Sequence, residues 1–201
     1  MKNKTINDRI EVKAILLGNS GVGKTNLINT SIGLKFEDCC NPTTTGTFVQ
    51  KLIPINNKKY SVNLWDTAGQ ETYKSITKIF LRKSEIIIFV YDITDEKSFK
   101  DLEFWIQMCK EMIDNKYVSG IVGNKIDLFT NEEVNDEEAR QYAQSKNMKF
   151  KLVSAKDNPN NFNNFLIELL NDLDKIDQNF ESENIELTKK VEINKKDKCK
   201  C

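Results

Sequence analysis

Short apolar runs alternate with amphipathic stretches along most of the chain. The strand-like runs are Val12–Leu17, Thr47–Ile55, Tyr60–Trp65, Ile86–Tyr91, Val118–Gly123 and Phe150–Val153. Apolar residues recur at helical spacing over Thr25–Ile32, Phe99–Ile113, Glu137–Ser145 and 162–176. Near-continuous apolar strands that alternate with helices are typical of a mostly parallel sheet covered on both faces. The pattern therefore predicts an α/β fold.

One pair of strands departs from this parallel pattern. The run Thr47–Ile55 is separated from Tyr60–Trp65 by only four polar residues, 56–59, so the two are predicted to form an antiparallel hairpin. Pro54 lacks a backbone N–H and favours an edge position for the first of these strands. We therefore expect a six-stranded sheet with one antiparallel edge strand and about five flanking helices.

Composition limits where the protein works and what it binds. The chain has 201 residues, with 30 basic and 30 acidic residues and a net charge of zero, so no broad attraction to nucleic acid is expected. Its longest apolar runs, such as Ile86–Val90, are far shorter than the roughly 20 residues of a membrane helix. The polar segment Met1–Glu11 lacks the apolar stretch of a secretory signal. These features predict an intracellular protein.

The chain contains no histidine and five cysteines. The absence of histidine excludes Ser-His-Asp and Cys-His catalysis. An odd number of cysteines in an intracellular protein argues against a disulfide framework. The chemistry must therefore use carboxylates, amides, lysines, backbone groups or a bound metal.

Gly18–Thr25 reads G-N-S-G-V-G-K-T and matches the phosphate-loop pattern G-x-x-x-x-G-K-[ST]. In such a loop, backbone N–H groups and the N-terminus of the following helix face phosphate oxygens. Lys24 can reach the β- and γ-phosphates, and the Thr25 hydroxyl can ligate Mg²⁺. The alternative is a plain glycine-rich turn, which the position between a strand and a helix disfavours. The motif predicts a P-loop NTPase but does not choose the base.

Asn124-Lys125-Ile126-Asp127 follows a predicted strand and carries the candidate base selectivity. A carboxylate there can accept two hydrogen bonds from guanine, whereas adenine would leave it unpaired. Ser154-Ala155-Lys156 ends the next strand, and its backbone N–H groups could bond the guanine oxygen. Phe36 could stack on the base, although a core role for this residue fits the sequence equally well.

Two segments are candidate γ-phosphate sensors. In Asp66-Thr67-Ala68-Gly69-Gln70, we expect Asp66 to hold the Mg²⁺ shell through a water molecule, Gly69 to offer its N–H to the γ-phosphate, and Gln70 to orient the attacking water. In Pro42-Thr43-Thr44-Thr45-Gly46, one threonine should ligate Mg²⁺. The residues alone leave open which of the three it is.

These segments, in this order, resemble the five guanine-nucleotide motifs of Ras-like proteins. Trp65–Glu71, Tyr91–Thr94 and Val122–Leu128 are especially similar to the Rab branch. The interval between the phosphate loop and Asp66 matches the Rab pattern without a gap if Thr43 is the magnesium ligand. The resemblance implies a Rab-type small GTPase that hydrolyses GTP to GDP and phosphate with Mg²⁺ as cofactor.

The resemblance also implies a set of functional residues. Catalysis would involve Gln70 and Lys24, and the metal ligands would be Thr25, Thr43 and Asp66. The implied nucleotide contacts are Ser20, Gly21, Val22, Gly23, Lys24, Thr25, Asn26, Phe36, Thr43, Gly69, Asn124, Lys125, Asp127, Ser154, Ala155 and Lys156.

Two surface segments depart from the Rab pattern. Thr44-Thr45-Gly46-Thr47-Phe48 stands where Rabs usually have Ile-Gly, an acidic or small residue and Phe. Glu71-Thr72-Tyr73 lacks the usual arginine after glutamate. Both lie where effectors contact such proteins, so they affect the choice of subfamily and partner rather than the nucleotide chemistry.

The sequence divides into a G domain, residues 1–177, and a polar, flexible hypervariable tail, residues 178–201. The ending Cys199-Lys200-Cys201 resembles that of Rabs carrying two geranylgeranyl groups and is not a C-a-a-X motif. The alternatives are a solvated lysine-rich tail or an incomplete thiol metal pair.

Membership of the Rab branch would imply a set of partners and a location. We expect a GTPase-activating protein, an exchange factor, effectors, and a prenylation escort or GDI-type chaperone. The expected location is the cytoplasmic face of an endomembrane, Golgi or endosomal, in exchange with the cytosol, and the expected process is vesicle traffic. A phosphate-loop kinase or ATPase would leave Asn124–Asp127 unexplained. A non-hydrolysing scaffold would not need Gln70 and Thr25.

Overall fold

A computed structural model describes residues 9–38, 43, 46–67, 80–114, 116–176 and 178. Its centre is a six-stranded sheet in the order β2-β3-β1-β4-β5-β6. The strands are β1 (Arg9–Leu17), β2 (Thr47–Ile55), β3 (Lys58–Asp66), β4 (Ile86–Asp92), β5 (Val118–Asn124) and β6 (Lys149–Leu152). All neighbouring pairs are parallel except β2–β3. The predicted mostly parallel sheet with one antiparallel edge strand is confirmed.

Five α-helices lie on this sheet within the described part of the chain. They are α1 (Lys24–Ser31), α2 (Glu96–Lys100), α3 (Leu102–Met112), α4 (Asp136–Ser145) and α5 (residues 159–176). A 3-10 helix, Ile126–Asn131, follows β5. The single helix predicted over Phe99–Ile113 is instead divided at Asp101, which ends α2 and precedes α3. Apolar spacing continues across the break, so periodicity does not reveal it.

The β2–β3 hairpin is tighter than its sequence indicates. Only Asn56 and Asn57 form the turn, with φ angles of 47° and 64°. Two consecutive residues in the left-handed backbone region form a turn that fits the right-handed twist of the paired strands. Asparagine tolerates this backbone conformation. Lys58 therefore belongs to β3 and pairs with Ile55. Pro54 lies on an edge strand, as predicted.

The sheet is buried on both faces because its central strands are apolar at nearly every position, and successive side chains point to opposite faces. On one face, Val12 and Leu16 of β1 pack with α1 and α5. On the other face, Ile15 and Leu17 pack with α3 and α4. All seven residues of β4 are buried. Parallel strands covered on both faces leave their carboxyl ends at one edge, which is where ligands bind in such folds.

Gly120 in β5 shows how closely α5 packs on the sheet. A Cβ atom at this position would lie 2.4 Å from Cζ of Phe165. None of the helices in the described ranges is long and apolar enough to cross a membrane.

Candidate functional site

A cavity of about 430 Å³ opens at the carboxyl-end edge of the sheet. Its walls come from the loops after β1, β5 and β6, from the start of α1, and from segments next to β2 and β3. Thirteen of the residues expected to contact nucleotide line it: Ser20, Gly21, Gly23, Lys24, Thr25, Asn26, Phe36, Thr43, Asn124, Lys125, Asp127, Ala155 and Lys156. Segments from across the sequence thus meet at one concave surface.

The phosphate loop packs so closely on its neighbours that a side chain at either of two glycines would displace neighbouring atoms. Gly18 has φ 150°, and a Cβ atom there would lie 2.0 Å from the carbonyl oxygen of Val90. Gly23 has φ 96°, and a Cβ atom there would lie 2.3 Å from Nδ2 of Asn124. The glycines are therefore required by close approach as well as by backbone conformation.

Lys24 lies beneath the loop with its ammonium group turned inward. Only 5% of the residue is exposed, and its Nζ donates hydrogen bonds to the carbonyl oxygens of Gly18 at 2.9 Å and Asn19 at 2.8 Å. Burial lowers the pKa of Lys24 to about 8, and the negative charge of Asp66 opposes this shift. A buried cation facing a cavity is suited to an anionic ligand.

Three oxygen-bearing side chains meet beside Lys24. The Oγ1 atom of Thr25 donates to Oδ2 of Asp66 at 2.7 Å, and Oγ1 of Thr43 donates to the same oxygen at 3.1 Å. The two threonine hydroxyls are 3.1 Å apart. Thr43 therefore lies with the other two candidate ligands, whereas Thr44 is outside the described residues.

This oxygen cluster fits a small hard cation such as Mg²⁺. The Oδ1 atom of Asp66 is buried and has no hydrogen-bond partner among the described residues. Burial also raises the pKa of Asp66, against the lowering effect of its hydrogen bonds and of Lys24. Mg²⁺ takes oxygen ligands and usually needs one or two carboxylates together with substrate phosphates. One carboxylate and two hydroxyls beside a phosphate loop meet that description.

Asn124 lines the cavity, and both ends of its side-chain amide are bonded within the protein. Its Nδ2 atom donates to the carbonyl oxygen of Val22 at 2.8 Å, and its Oδ1 atom accepts from the backbone N–H of Ala155 at 3.3 Å. Only 1% of the residue is exposed. Asn124 thus joins the phosphate loop to the loop after β6.

Asp127 is held by a serine from that same loop. Oγ of Ser154 donates to Oδ1 of Asp127 at 2.6 Å, while accepting from the backbone N–H groups of Lys156 and Asp157. Ser154 is buried and does not line the cavity. The serine therefore orients a carboxylate whose other oxygen accepts no side-chain hydrogen bond within the described part of the chain.

Lys125 is fixed by a residue that the sequence did not single out as a site residue. Its Nζ atom lies 2.6 Å from Oδ2 of Asp92, at the end of β4, and the Oδ1 atom of Asp92 accepts from the backbone and hydroxyl of Thr94. Lys125 also has a left-handed backbone, with φ 70° and ψ 35°. Two signals were available: Asp92 ends a strand whose neighbours end at the site, and it lies in the Rab-like segment Tyr91–Thr94.

Phe36 and Lys156 lie at the opening of the cavity. The Nζ atom of Lys156 is 5.7 Å from the centre of the Phe36 ring and 3.5 Å from Oδ1 of Asp38. Phe36 also packs against the core, which is one of the two roles that the sequence left open, and its stacking on a base stays a prediction. Its ring is exposed enough to form part of the cavity wall.

Some predicted residues lie elsewhere. Val22 and Asp66 are buried and do not line the cavity, although Asp66 takes part in the oxygen cluster and Val22 receives the bond from Asn124. Gly69, Gln70, Cys199 and Cys201 lie outside the described residues. Three lining residues were not expected: Asp38, Thr67 and Leu128. Thr67 could have been inferred from its place after Asp66, and its hydroxyl is bonded to the carbonyl of Leu16.

The glycine-rich loop, the doubly covered sheet and the cavity at its carboxyl-end edge define a protein with the phosphate-loop NTPase fold. The sequence profile of the Ras family matches residues 13–175. The chain belongs to that family, whose members are GTPases, and it is a Rab-type small GTPase.

Individual relatives support this assignment. The chain is 42% identical to Ras-related protein Rab-21 of Geodia cydonium over 147 residues, which are 73% of this chain and 64% of the relative. It is 37% identical to human Ras-related protein Rab-30 over 148 residues, 74% of this chain and 73% of the relative. The chain is also 40% identical to human Ras-related protein Rab-21 over 146 residues, which are 73% of this chain and 65% of the relative. The matched part spans about two thirds to three quarters of these relatives.

Proposed function

We propose that this chain binds GTP and GDP, hydrolyses GTP slowly, and thereby acts as a molecular switch in membrane traffic. One observation carries the proposal. A single cavity has Lys24 and the Thr25–Thr43–Asp66 oxygen cluster at one end and the oriented carboxylate of Asp127 at the other. A ligand that spans it needs phosphates at one end and paired N–H donors at the other, as guanine nucleotides have.

Guanine would be selected through the carboxylate of Asp127. Guanine presents a ring N–H and an exocyclic amine to this group, whereas adenine has an acceptor at the ring position. Ser154 already donates to one oxygen of this carboxylate. The wrong base would leave the acceptor sites that face the ligand unpaired, which carries a large free-energy penalty. Ala155 and Lys156 also line the cavity, and a backbone N–H group of this loop would bond the guanine oxygen in place of its present acceptor, Asn124 or Ser154.

Phosphate binding and Mg²⁺ coordination would share the other end. The hydroxyls of Thr25 and Thr43 and the carboxylate of Asp66 would hold the ion, Asp66 through a water molecule. When bound, Mg²⁺ neutralises negative charge on the phosphate groups. Lys24 would turn its donors from the loop carbonyls to phosphate oxygens, and the backbone N–H groups of the loop would bond the remaining oxygens.

Hydrolysis would proceed by positioning rather than by covalent catalysis. Gln70 would orient the attacking water, and Lys24 would stabilise the charge that develops on the leaving phosphate. The part of the cavity wall that the structure describes contains no arginine. Intrinsic turnover should therefore be slow, roughly 10⁻⁴ to 10⁻³ s⁻¹, and an activating protein would supply the missing positive charge.

The switch would act through Thr43 and Gly69, which would be ordered by the γ-phosphate and released after hydrolysis. Next to Thr43, an aromatic row lies on the surface. Phe48 stacks on Trp65 at 5.0 Å between ring centres, and Trp65 contacts Phe80 at 5.2 Å. Phe48 is 55% exposed, so the row offers apolar area to effectors.

The G domain, residues 1–177, would be tethered to membranes by a flexible tail, residues 178–201. Prenyl groups on Cys199 and Cys201 would provide the two lipid signals that stable anchoring requires. An escort or GDI-type chaperone would shield them in the cytosol, and an exchange factor would promote GDP release. Because relatives are named Rab-21 and Rab-30, we propose the cytoplasmic face of an endomembrane, Golgi or endosomal.

Guanine selectivity and hydrolysis can be tested on the purified chain with Mg²⁺ present. Affinities for GDP and ADP are compared by competition against a fluorescent guanine nucleotide, and phosphate release is followed in a single turnover of GTP. We expect GDP to bind at least a thousandfold more tightly than ADP, consistent with the discrimination of hydrogen-bonding sites. Equal affinities for the two nucleotides would falsify the proposal. GTP binding without phosphate release would reduce the protein to a scaffold.

A further inference from the structure

Asn19 lies within the phosphate loop, but its side chain points onto helix α3. Its Oδ1 atom accepts a hydrogen bond from Nε1 of Trp105 at 3.1 Å, and its Nδ2 atom donates to Oδ2 of Asp101 at 2.7 Å. Asp101 lies 82 positions further along the chain than Asn19, and Trp105 lies 86 positions further. Both polar ends of one amide are therefore used to attach the loop to the helix.

The two partners of Asn19 are themselves well placed to hold it. Trp105 is only 2% exposed, so its indole N–H needs an acceptor within the protein. Asp101 is the N-cap residue of α3, yet its carboxylate makes no capping bond to that helix. It bonds Asn19 instead. Aspartate commonly caps helices, but the side chain of Asp101 bonds the phosphate loop instead.

The main chain of Asn19 connects this attachment to Lys24. The carbonyl oxygen of Asn19 accepts from Nζ of Lys24 at 2.8 Å. Gly18, just before it, is fixed against the Val90 carbonyl. The peptide groups on either side of Asn19 therefore cannot rotate freely while its side chain stays bonded to Asp101 and Trp105. Their orientation determines where the loop's carbonyls and N–H groups point.

We propose that Asn19 is a positioning residue: its attachment to Asp101 and Trp105 holds the phosphate loop and Lys24 in the arrangement that binds the β-phosphate. This inference rests on the proposed nucleotide-binding function and adds the start of α3 to the elements that control nucleotide release. Asn19 does not touch the ligand. Its effect should depend on how many phosphates the ligand carries, because only these groups contact the loop.

The test compares GDP with GMP, which lacks the β-phosphate. Asn19→Ala removes both bonds, and Trp105→Phe removes one donor while keeping an aromatic ring in the core. For each variant, the release rate of fluorescent GDP and the competition affinities of GDP and GMP are measured with Mg²⁺. We expect GDP affinity to fall roughly tenfold, as for the loss of a buried charge-assisted hydrogen bond, and GMP affinity to change by less than about twofold.

A double variant that exchanges the asparagine and the aspartate should rescue GDP binding. Asn19→Asp alone places two carboxylates against each other and should weaken GDP binding more than Asn19→Ala does. Adding Asp101→Asn restores an amide–carboxylate pair with donor and acceptor exchanged, and leaves an acceptor for the indole of Trp105. The double variant should bind GDP several-fold more tightly than Asn19→Asp alone, although both carry a carboxylate at position 19, and its net charge equals that of the parent chain.

Tyr142→Phe serves as the matched control, because the Tyr142 hydroxyl bonds Glu103 of α3 at 2.7 Å on a side away from the loop. It should leave both affinities unchanged. Equal losses of GDP and GMP affinity in Asn19→Ala and Trp105→Phe would overturn the inference, as would a double variant no better than Asn19→Asp. A parent chain that binds ADP as tightly as GDP would contradict the proposed function instead, while the comparison of diphosphate with monophosphate would still test Asn19.

Discussion

The amide of Asn124 donates a hydrogen bond to the carbonyl oxygen of Val22 at 2.8 Å, and so joins the base-selecting segment to the phosphate loop. The two residues are 102 positions apart in sequence. The bond holds together the two ends of one cavity. The Oδ1 atom of Asn124 also accepts from the N–H of Ala155, which extends the link to the loop after β6.

Asn124→Ala should therefore weaken nucleotide binding without removing a contact to the nucleotide. The buried Val22 carbonyl loses its donor and the Ala155 N–H loses its acceptor, which should lower the free energy of unfolding by about 1–3 kcal/mol. Both GDP and GMP affinity should fall, because two loops move. Urea unfolding and nucleotide competition measure these effects. The exposed Asn131→Ala is the control, and a variant as stable as the parent chain would contradict the role assigned to Asn124.

Asp127→Asn should change which purine the protein prefers. An amide offers one acceptor and one donor, whereas guanine requires two acceptors and xanthine, with a carbonyl in place of the amine, requires one of each. GDP affinity should fall roughly a hundredfold or more, and xanthosine diphosphate should become the better ligand. Asp38→Asn changes another carboxylate of the cavity wall and should preserve the guanine preference. Retention of that preference by Asp127→Asn would show that this carboxylate does not select the base.

Gln70→Leu should slow hydrolysis at least tenfold and change GTP affinity by less than about twofold, because the side chain is proposed to orient water rather than to bind nucleotide. Single-turnover phosphate release and nucleotide competition separate these effects. Gln141→Leu, on the exposed face of α4, is the matched control. A parallel loss of affinity and rate would assign Gln70 to binding.

Asp174 should make stability depend on pH. Its carboxylate accepts from Lys58, from the Tyr60 hydroxyl at 2.7 Å and from Gln178 at 2.8 Å, and these partners, Lys58 first, hold its pKa below the ordinary value of 3.8. The folded state then binds fewer protons than the unfolded state. This contribution is complete above about pH 4 and is lost as the pH falls through the lowered pKa.

Asp174→Asn should lower the free energy of unfolding at pH 7 by about 2 kcal/mol, and the difference from the parent chain should shrink at pH 3. Urea unfolding at the two pH values provides the measurement. Asp172→Asn is the matched control, because the Asp172 side chain is 32% exposed against 8% for Asp174, and ion pairs of exposed carboxylates contribute little. A deficit that is equal at both pH values would mean that the ionised form of Asp174 is not responsible.

Replacing both terminal cysteines by serine should release the protein from membranes. Each buried CH₂ of a prenyl chain contributes about 0.8 kcal/mol, so loss of both chains removes most of the attachment. Fractionation of cells that express tagged protein measures the membrane-bound share. Lys200→Ala keeps both thiols and is the control. Unchanged membrane association in the Cys199→Ser, Cys201→Ser chain would require another anchor.

The sheet could be predicted from the sequence because its strands are buried on both faces and therefore read as apolar runs. Thr43 was chosen through the resemblance to Rab proteins, because the interval between the motifs then matched without a gap, and its hydroxyl lies beside Thr25 and Asp66. The break at Asp101 could not be predicted, because apolar spacing continues across it and the Asp101 carboxylate bonds a distant loop instead of capping α3.

Side-chain direction was the main feature that the sequence left undetermined. Asn124 lines the cavity as expected, but the sequence did not show that its amide bonds two loops, and Asp92 was not expected at the site and yet holds Lys125. Both depend on which strand ends are neighbours in space. The motif identified the residues that meet there, but only the register of β4 beside β5 determines which atoms face each other.

The left-handed backbone of Lys125 has a consequence for engineering this protein. A side chain in that conformation costs on the order of 1 kcal/mol relative to glycine. Lys125→Gly would relieve this strain, but it would also remove the ammonium group that contacts Asp92. The loss of a partner for the buried Asp92 carboxylate offsets the relief of strain, so thermostable variants of this chain should be sought at positions outside the cavity and screened for ligand retention as well as melting temperature.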